Sequence, residues 1–585
     1  MACPKCGPRL RWLDPQGHEL ACGDDAVGRA VAMLRAGGVL AVKGLGGYQL
    51  MVAARPDQAV LALRQRKHRE EKPFALMFPN LEMVREACYA DEMEERVLAS
   101  PEGPIVLLRQ RRESNTGISP LVAPGLVEWG VMLPTTPLHH LILHDFGGPV
   151  VATSGNLSDE PICTEEEEAL ARLGPLVDGL LVHDRPVVRP VDDSVVRVLL
   201  GREMVLRRAR GYAPWPVPSG SREGDPVVLA VGADLKNTVA LGRGPDIVVG
   251  QHVGDLGTEL SFRAQQRSIE DLPRLLDAVP EIAACDLHPD YHSRRAAERT
   301  GLPMRPVQHH LAHALACLAE NEVDPPALAV TWDGTGFGTD GTIWGGEFLL
   351  VEKKRWRRLA HLRPFPLVGG DGAAREPRRA ALGLLHALFG EDLWNRADLP
   401  TIRAFTVVEM RVLRTLLDGR RQTVPTTSMG RFLDALASLC DVRHVSTFEA
   451  QTAMDFEACA ATATPEETLT LPDLDLVAGA GESPWSLDWA PLVAEVVRVR
   501  EQAAPTLIAE AVHRALVRSV LAVARRAGIP EVALTGGCFQ NRILLEGTVA
   551  DLRAEGFRPC WPQRIPPNDG GISLGQVVAV RSGHA

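Results

Sequence analysis

Ala327-Leu328-Ala329-Val330-Thr331-Trp332-Asp333-Gly334-Thr335-Gly336 is a short apolar run that empties into a small-residue segment led by a carboxylate. A run of this length, closed by glycine, reads as a buried strand entering a turn, Asp333 to Gly341, and Trp344 to Val351 reads as the strand that returns. The same order occurs earlier in the chain. Val227 to Val231 passes through Gly232-Ala233-Asp234-Leu235-Lys236-Asn237 into the strand Thr238 to Leu241. A third strand and turn, Glu531 to Thr535 followed by Gly536-Gly537-Cys538-Phe539-Gln540-Asn541, leads into a helix. Repetition of one unit predicts a duplicated α/β fold whose halves face each other across a cleft, with acidic and glycine turns at its floor.

Between the two copies stands Val307-Gln308-His309-His310-Leu311-Ala312-His313, where a helical pattern begins. Positions four apart on a helix share a face about 6 Å from each other, so His309 and His313 could grip one divalent ion while His310 points elsewhere. A solvated pair is the plain alternative on spacing alone. Asp333 nearby, and Asp569 in the closing turn Pro566-Pro567-Asn568-Asp569-Gly570-Gly571, would complete a set of two nitrogens and two oxygens, which suits iron, zinc or manganese. The same Asn568 and Asp569 would also serve as caps for the helix that follows, and the two roles are compatible. Backbone amides at Asp333 to Gly341 and at Gly536 to Asn541 could cradle a phosphate, although neither turn matches a P-loop.

Before Tyr212, helix and strand patterns interleave: helices near Asp25 to Ala36 and Asp57 to Arg66, strands at Val39 to Lys43, Phe74 to Phe78, Ile105 to Leu108 and Val150 to Thr153. This is a separate α/β domain. Arg64 to Lys72 concentrates six basic side chains between a helix and a strand, a place where a triphosphate could sit. Thr153-Ser154-Gly155-Asn156 offers hydroxyl and amide groups, Asp192-Asp193 a carboxylate pair able to hold Mg²⁺ but commoner as surface decoration, and Arg207 to Arg210 a second basic cluster. Prolines and glycines crowd Tyr212 to Pro226, which reads as a linker. Arg378 to Glu510 is mostly helical by its Leu and Ala spacing, with a loop at Asp473 to Pro484.

The chain has 585 residues, 45% hydrophobic and 23% charged, enough for three to four domains at about 150 residues each. A net charge of -11 argues against a protein that mainly grips nucleic acid. No apolar run approaches the roughly 20 residues of a membrane span, and no apolar leader opens the chain, so a cytoplasmic protein is expected. Most of the 11 cysteines, such as Cys285 and Cys440, lie singly in apolar runs and read as reduced buried thiols. Cys538 reads as a small buried residue. Cys3-Pro4-Lys5-Cys6 supplies half of a zinc site, with Cys22 the only further cysteine near it, and reads as the remnant of a finger.

Lys43-Gly44-Leu45-Gly46-Gly47-Tyr48, Arg64 to Ala75, Thr153 to Asn156 and Arg207 to Pro214 closely resemble the YrdC-like domain of the HypF family of hydrogenase-maturation carbamoyltransferases. Ala233-Asp234-Leu235-Lys236-Asn237, Gln251 to Asp255, Asp286 to Tyr291, the histidine motif, Asp333 to Gly336, Thr535 to Cys538 and Asn568 to Gly571 resemble its TsaD-like domain, of actin and sugar-kinase type. The resemblance covers nearly the whole chain in family order. It implies a zinc-finger remnant at 1–22, a YrdC-like domain at 23–213, a linker at 214–226 and a TsaD-like domain with a helical insertion at 227–585.

The resemblance further implies a two-step reaction: ATP and carbamoyl phosphate give carbamoyl adenylate and pyrophosphate in the first domain, and the second passes the carbamoyl group to the C-terminal cysteine of a HypE-like partner. Carried over, Lys67, Arg69, Ser154 and Asn156 would act at the first site, with Mg²⁺ accompanying ATP. His309, His313, Asp333 and Asp569 would bind the metal of the second site. Lys236, Gly334, Thr335, Gly336, Gly536, Gly537, Asn541 and Asn568 would line its nucleotide. Because such an adenylate is labile in water, two sites sharing an enclosed passage would limit its loss. Two departures stand out. The family's acylphosphatase domain and paired zinc fingers are absent apart from Cys3 and Cys6, so release of carbamate would call for a separate polypeptide, and Leu311 stands where a further histidine is frequent. The competing expectations are a small-molecule O-carbamoyltransferase, whose domains usually run in the opposite order, a tRNA threonylcarbamoylation enzyme, which the acidic charge opposes, and a nucleotide-binding scaffold without activity.

Overall fold

A computed structural model describes residues 7–111, 113, 116–157, 160–218, 224–370, 372–419, 423–464 and 468–585. Cys3 and Cys6, and with them the zinc-finger expectation, lie outside the described residues. The chain divides into two compact units, the first made of 1–215, 234–238 and 250–271, the second of 216–233, 239–249 and 272–585.

The first unit is built on a twelve-stranded mixed sheet. At its centre Tyr48–Ala53 pairs antiparallel with Leu40–Lys43 on one side and with Val150–Ser154 on the other, in a register that sets Gln49 opposite Ser154. Strand alternation divides these side chains between two cores. Tyr48, Leu50 and Val52 join Leu63, Phe74 and Val151 on one face, while Met51 joins Val31, Leu34, Leu40 and Leu181 on the other. With both faces covered the strands lose their polar alternation, which is why they read as continuous apolar runs.

The second unit carries two sheets. One has six strands, with Val228–Ala230 between Ala240–Arg243 and Ile282–Asp286, and Met304–Val307 at one edge. The other has nine, centred on Ala327–Phe337, which pairs antiparallel with Ile343–Val351 and parallel with Glu531–Thr535. The duplicated strand-and-return is therefore present once in each sheet. Two helices join them: His309–Glu320 packs through Leu311 and Leu315 against Ala327 and Ala533, and Ile572–Ser582 turns Ile572 towards that cluster and Leu574 and Val577 towards Val228 and Ala284. Their approach is close, since a Cβ on Gly575 would lie 1.8 Å from the Ala312 carbonyl oxygen.

Three expectations change. Part of the supposed linker is a strand, Pro216–Pro218, paired with Asp246–Val249 at the rim of the six-stranded sheet, a position where proline costs no ladder hydrogen bond. Asp333 to Phe337 is not a free turn but continues the strand, with a register break between Trp332 and Gly336. The loop expected at 473–484 contains the strand Asp475–Val477, which pairs with Trp485–Asp488. The middle is otherwise mostly helical, including Pro377–Phe389, Val407–Asp418, Met429–Leu439 and Ala490–Val499, with a further strand, Thr423–Thr426, paired with Phe365–Val368. Among the described residues no helix is long and apolar enough to cross a membrane, and Cys285 and Cys440 are free and buried.

Candidate active sites

In the first unit the helix Asp57–Lys67 ends because His68 adopts a left-handed conformation at φ 50°. That places the Lys67 ammonium against the end of the strand Val150–Ser154. Nζ donates to the Ser154 carbonyl at 2.5 Å, to the Asn156 carbonyl at 2.9 Å and to Asn156 Oδ1 at 2.8 Å, while Ser154 Oγ donates to the same Oδ1 at 2.8 Å. Arg69 reaches the same strand end, donating to Thr153 Oγ1 at 3.2 Å. The four residues expected together are together, with one refinement: all three ammonium protons are spent on the turn, so Lys67 shapes the turn directly and could meet an anion only through its charge. Burial pushes the Lys67 ammonium down to about 7, with Arg69 adding to the shift, and burial likewise lowers Arg69 to about 9.

The basic run is not uniform. Arg64 is buried and donates to the carbonyls of Leu121, Arg69, Glu70, Lys72 and Val122, so it staples the loop. Nor is Asp192-Asp193 a surface pair. Asp193 accepts from Gln49 and Arg210, each at 2.8 Å, and burial raises the Asp192 carboxyl against the pull of Arg207 and Lys67. Lys236, expected at the second nucleotide, lies in the segment 234–238, which packs with the first unit. Its backbone amide donates to Asp255 at 2.8 Å, and its charge, after burial and Arg207, helps push His252 well below the ordinary histidine range.

In the second unit four ligand atoms from three chain-distant segments converge. Gln308 caps the helix His309–Glu320 by accepting from the Leu311 amide at 2.8 Å, and both imidazoles, completely buried, face the same point. His309 Nε2 and His313 Nε2 each stand 3.4 Å from Asp333 Oδ2, and 3.7 and 3.8 Å from Asp569 Oδ1. One ligand atom from each of the four residues lies within 4.8 Å of every other. Neither Nε2 has a hydrogen-bond partner among the described residues. A tetrahedral ion with bonds of roughly 2.1 Å sets its ligand atoms about 3.4 Å apart, so the residues present fit a divalent metal. Orientation comes from Asp286, whose Oδ2 lies 2.8 Å from His309 Nδ1 and leaves Nε2 for the site. Burial alone would keep His309 neutral, but Asp569 and Asp286 hold its imidazole well above the usual range. Asp333 stays well below the usual carboxylate range, because His309 and His313 outweigh its burial. The pocket is thus built to hold positive charge.

The glycines around it have separate duties. A Cβ on Gly336 would lie 2.5 Å from His310 Cε1 and 2.7 Å from His309 Cδ2, so only glycine lets the strand lie on the imidazoles. Gly536, at φ 94°, would meet the Trp332 carbonyl oxygen at 2.3 Å. The Gly537 amide donates to Asp333 Oδ1 at 3.0 Å. Gly334 is partly open and Thr335 exposed. Asn541 caps the helix Arg542–Ala554 and pairs with His513 Nε2 at 2.9 Å, and Asn568 accepts from the Gly570 amide at 3.0 Å and donates to Gln540 at 3.0 Å. Both asparagines therefore hold the loops in place. Burial raises the Cys538 thiol well above its usual range, as does Asp333.

Sequence reasoning missed Asp286 as the orienting partner, and it missed Glu320. That carboxylate, at the far end of the histidine helix, accepts from the amides of Gln563, Arg564 and Ile565, the loop that leads to Asp569. Burial pushes it up to about 7 against those amides. Nothing in composition or spacing separates it from a solvated helix-end glutamate.

Comparison with known proteins agrees with this architecture. Residues 32–209 match the family described as telomere recombination (Sua5, YciO and YrdC), residues 223–320 the HypF Kae1-like domain, and residues 329–576 the carbamoyltransferase Kae1-like domain, second subdomain. Carbamoyltransferase HypF of a Synechocystis species is 42% identical over 98% of this chain and 75% of its own. The crystal structure of full-length HypF in its phosphate- and nucleotide-bound form superposes with a TM-score of 0.91 at 35% identity, over 99% of this chain and 75% of that one. The HypF of T. kodakarensis gives the same TM-score at 29% identity, over 100% and 76%. Identity of 40–42% to carbamoyltransferases over nearly the whole chain, in the same domain order, makes this a carbamoyltransferase. The chain belongs to the HypF family of those enzymes.

Proposed function

We propose that this carbamoyltransferase uses ATP and carbamoyl phosphate to make carbamoyl adenylate in its first unit, and that the second unit delivers the carbamoyl group to the C-terminal cysteine of a HypE-like protein during nickel-iron hydrogenase maturation. The observation that carries the second step is the convergence of His309, His313, Asp333 and Asp569 within 4.8 Å. The first step is supported by the clustering of Lys67, Arg69 and the turn at Ser154 to Asn156. Phosphate and nucleotide in the related HypF crystal structure support the substrate class.

In the first unit carbamate oxygen attacks the α-phosphate of ATP, with Mg²⁺, and pyrophosphate leaves. The ammonium of Lys67 and the guanidinium of Arg69 offset phosphate charge there, and the Lys67 hydrogen bonds keep the Ser154 to Asn156 turn aimed at the carbamoyl group. Carbamate itself would come from carbamoyl phosphate through an acylphosphatase activity, on a separate polypeptide if this chain has none. In the second unit a bound iron, zinc or manganese would polarise the carbonyl and offset phosphate charge. His309 and His313 would hold it, Asp286 fixing the His309 ring, and Asp333 and Asp569 would close the set. A cytoplasmic setting suits the reduced thiols of enzyme and acceptor.

The test is to supply labelled carbamoyl phosphate, ATP and the thiol partner, with and without an acylphosphatase domain. Label on the partner's terminal cysteine is expected. No label under either condition, or label on tRNA or a small-molecule hydroxyl instead, refutes the assignment.

A further inference from the structure

The helix Met429–Leu439 begins against the accessible backbone of the transfer site. Ser428 Oγ donates to the Gly334 carbonyl at 2.6 Å and accepts from the Arg431 amide at 3.0 Å, and a Cβ on Gly430 would lie 2.8 Å from the Gly334 Cα. Arg431 therefore sits directly over Gly334, its NH2 group 3.9 Å from where a Gly334 Cβ would be. Two of its nitrogens are engaged: NH1 donates to the Ala374 carbonyl at 3.1 Å, and NH2 pairs with Asp434 Oδ2 at 2.9 Å. The third, Nε, is buried with no partner among the described residues. Asp434 keeps only 6% side-chain exposure, so its carboxylate is a clamp and not a surface charge.

A buried N–H without an acceptor is destabilising. Here the orphan belongs to the side chain best suited to grip phosphate, beside the open Gly334-Thr335 stretch of a strand near two carboxylates, Asp333 and Asp569. Those carboxylates belong to the metal set, so a phosphate on the open side of the strand would gain from a second cation beyond the metal.

We propose that Arg431, held by Asp434, binds the α-phosphate of the adenylate in the transfer site. This rests on the proposed function. In the step it serves, the acceptor sulfur forms a bond to the carbamoyl carbon, the bond from that carbon to the phosphate oxygen breaks with its electron pair going to AMP, and the thiol proton is released to solvent. The guanidinium meets the charge that builds on the departing phosphate.

The test compares AMP with adenosine, which lacks the phosphate. In the full chain carrying Lys67→Ala, to weaken the first site, calorimetry should show Arg431→Lys reducing AMP affinity by about 10- to 100-fold, the size of a lost charge-assisted hydrogen bond, and leaving adenosine affinity within about twofold. With Lys67 intact, Arg431→Lys should slow transfer to the thiol and spare pyrophosphate release. Equal losses for AMP and adenosine, unchanged AMP affinity, or no AMP binding at all in the Lys67→Ala chain would each overturn the assignment. Should the Arg431 variant lower the melting temperature sharply, Asp434→Asn serves in its place and must weaken AMP more than adenosine. Failure of the unmodified chain to release pyrophosphate from ATP and carbamate would refute the proposed reaction instead, leaving the difference between AMP and adenosine standing.

Discussion

The two candidate sites are built on opposite plans. In the first unit Lys67 and Arg69 are two residues apart, Ser154 and Asn156 likewise, and backbone carbonyls from one strand end join the pairs. In the second unit His309, Asp333 and Asp569 arrive from a helix, a strand and a closing turn, with almost no backbone acceptor among the contacts that define the set. A site made from neighbours depends on one turn being held. A site made from distant segments depends on the whole unit packing correctly, so its geometry is set by topology.

The sharpest way to break the contrast is His309→Ala. Loss of a polarising ion removes several kcal/mol of transition-state stabilisation, so transfer to the thiol should fall by about 10³-fold or more while pyrophosphate release continues. Elemental analysis of the purified variant should show the metal gone, and equal loss of both half-reactions would erase the division of labour. Next in size, Lys67→Ala should lower pyrophosphate release by about 10- to 100-fold, the worth of a charge-assisted contact, and leave the bound metal untouched. Asp286→Asn probes support from behind the ligands. Losing the partner of His309 Nδ1 should weaken metal affinity by about 10- to 100-fold, measured by competition with a chelator, without altering the first half-reaction.

The smallest effect is on pH. Burial sets Lys67 at about 7, well below an exposed lysine, so the folded protein binds fewer protons there than the unfolded chain between that value and about 10.4. The cost of burying the charge is fully present below pH 7 and is relieved as the amine deprotonates, so this residue makes the fold more stable as pH rises through that window. Triphosphate affinity moves the other way, falling by a few-fold as pH climbs through about 7 and the charge is lost. Lys67→Arg should flatten that limb in an equilibrium binding profile, and an unchanged slope would assign it to another group.

How much could be read in advance follows the same contrast. Helix-spaced imidazoles and a glycine-closed strand announced His309, His313 and Asp333, because period and turn chemistry are local properties. The duplicated strand-and-return was visible for the same reason. Asp286 was not, since its role exists only once Ile282–Asp286 lies beside the histidine helix. Arg431 and Asp434 sat inside a stretch read simply as helical. The strand at Pro216–Pro218 was hidden by prolines that a sheet rim tolerates.

Glu320 has one further effect. By bolting the end of the histidine helix to the loop that carries Asp569, while Gly575 lets the following helix press on Ala312, it makes the ligand-bearing segments a single stiff scaffold. Stripping the ion would then leave a vacant seat of nearly unchanged shape, and the protein could be recharged in its native state with no refolding.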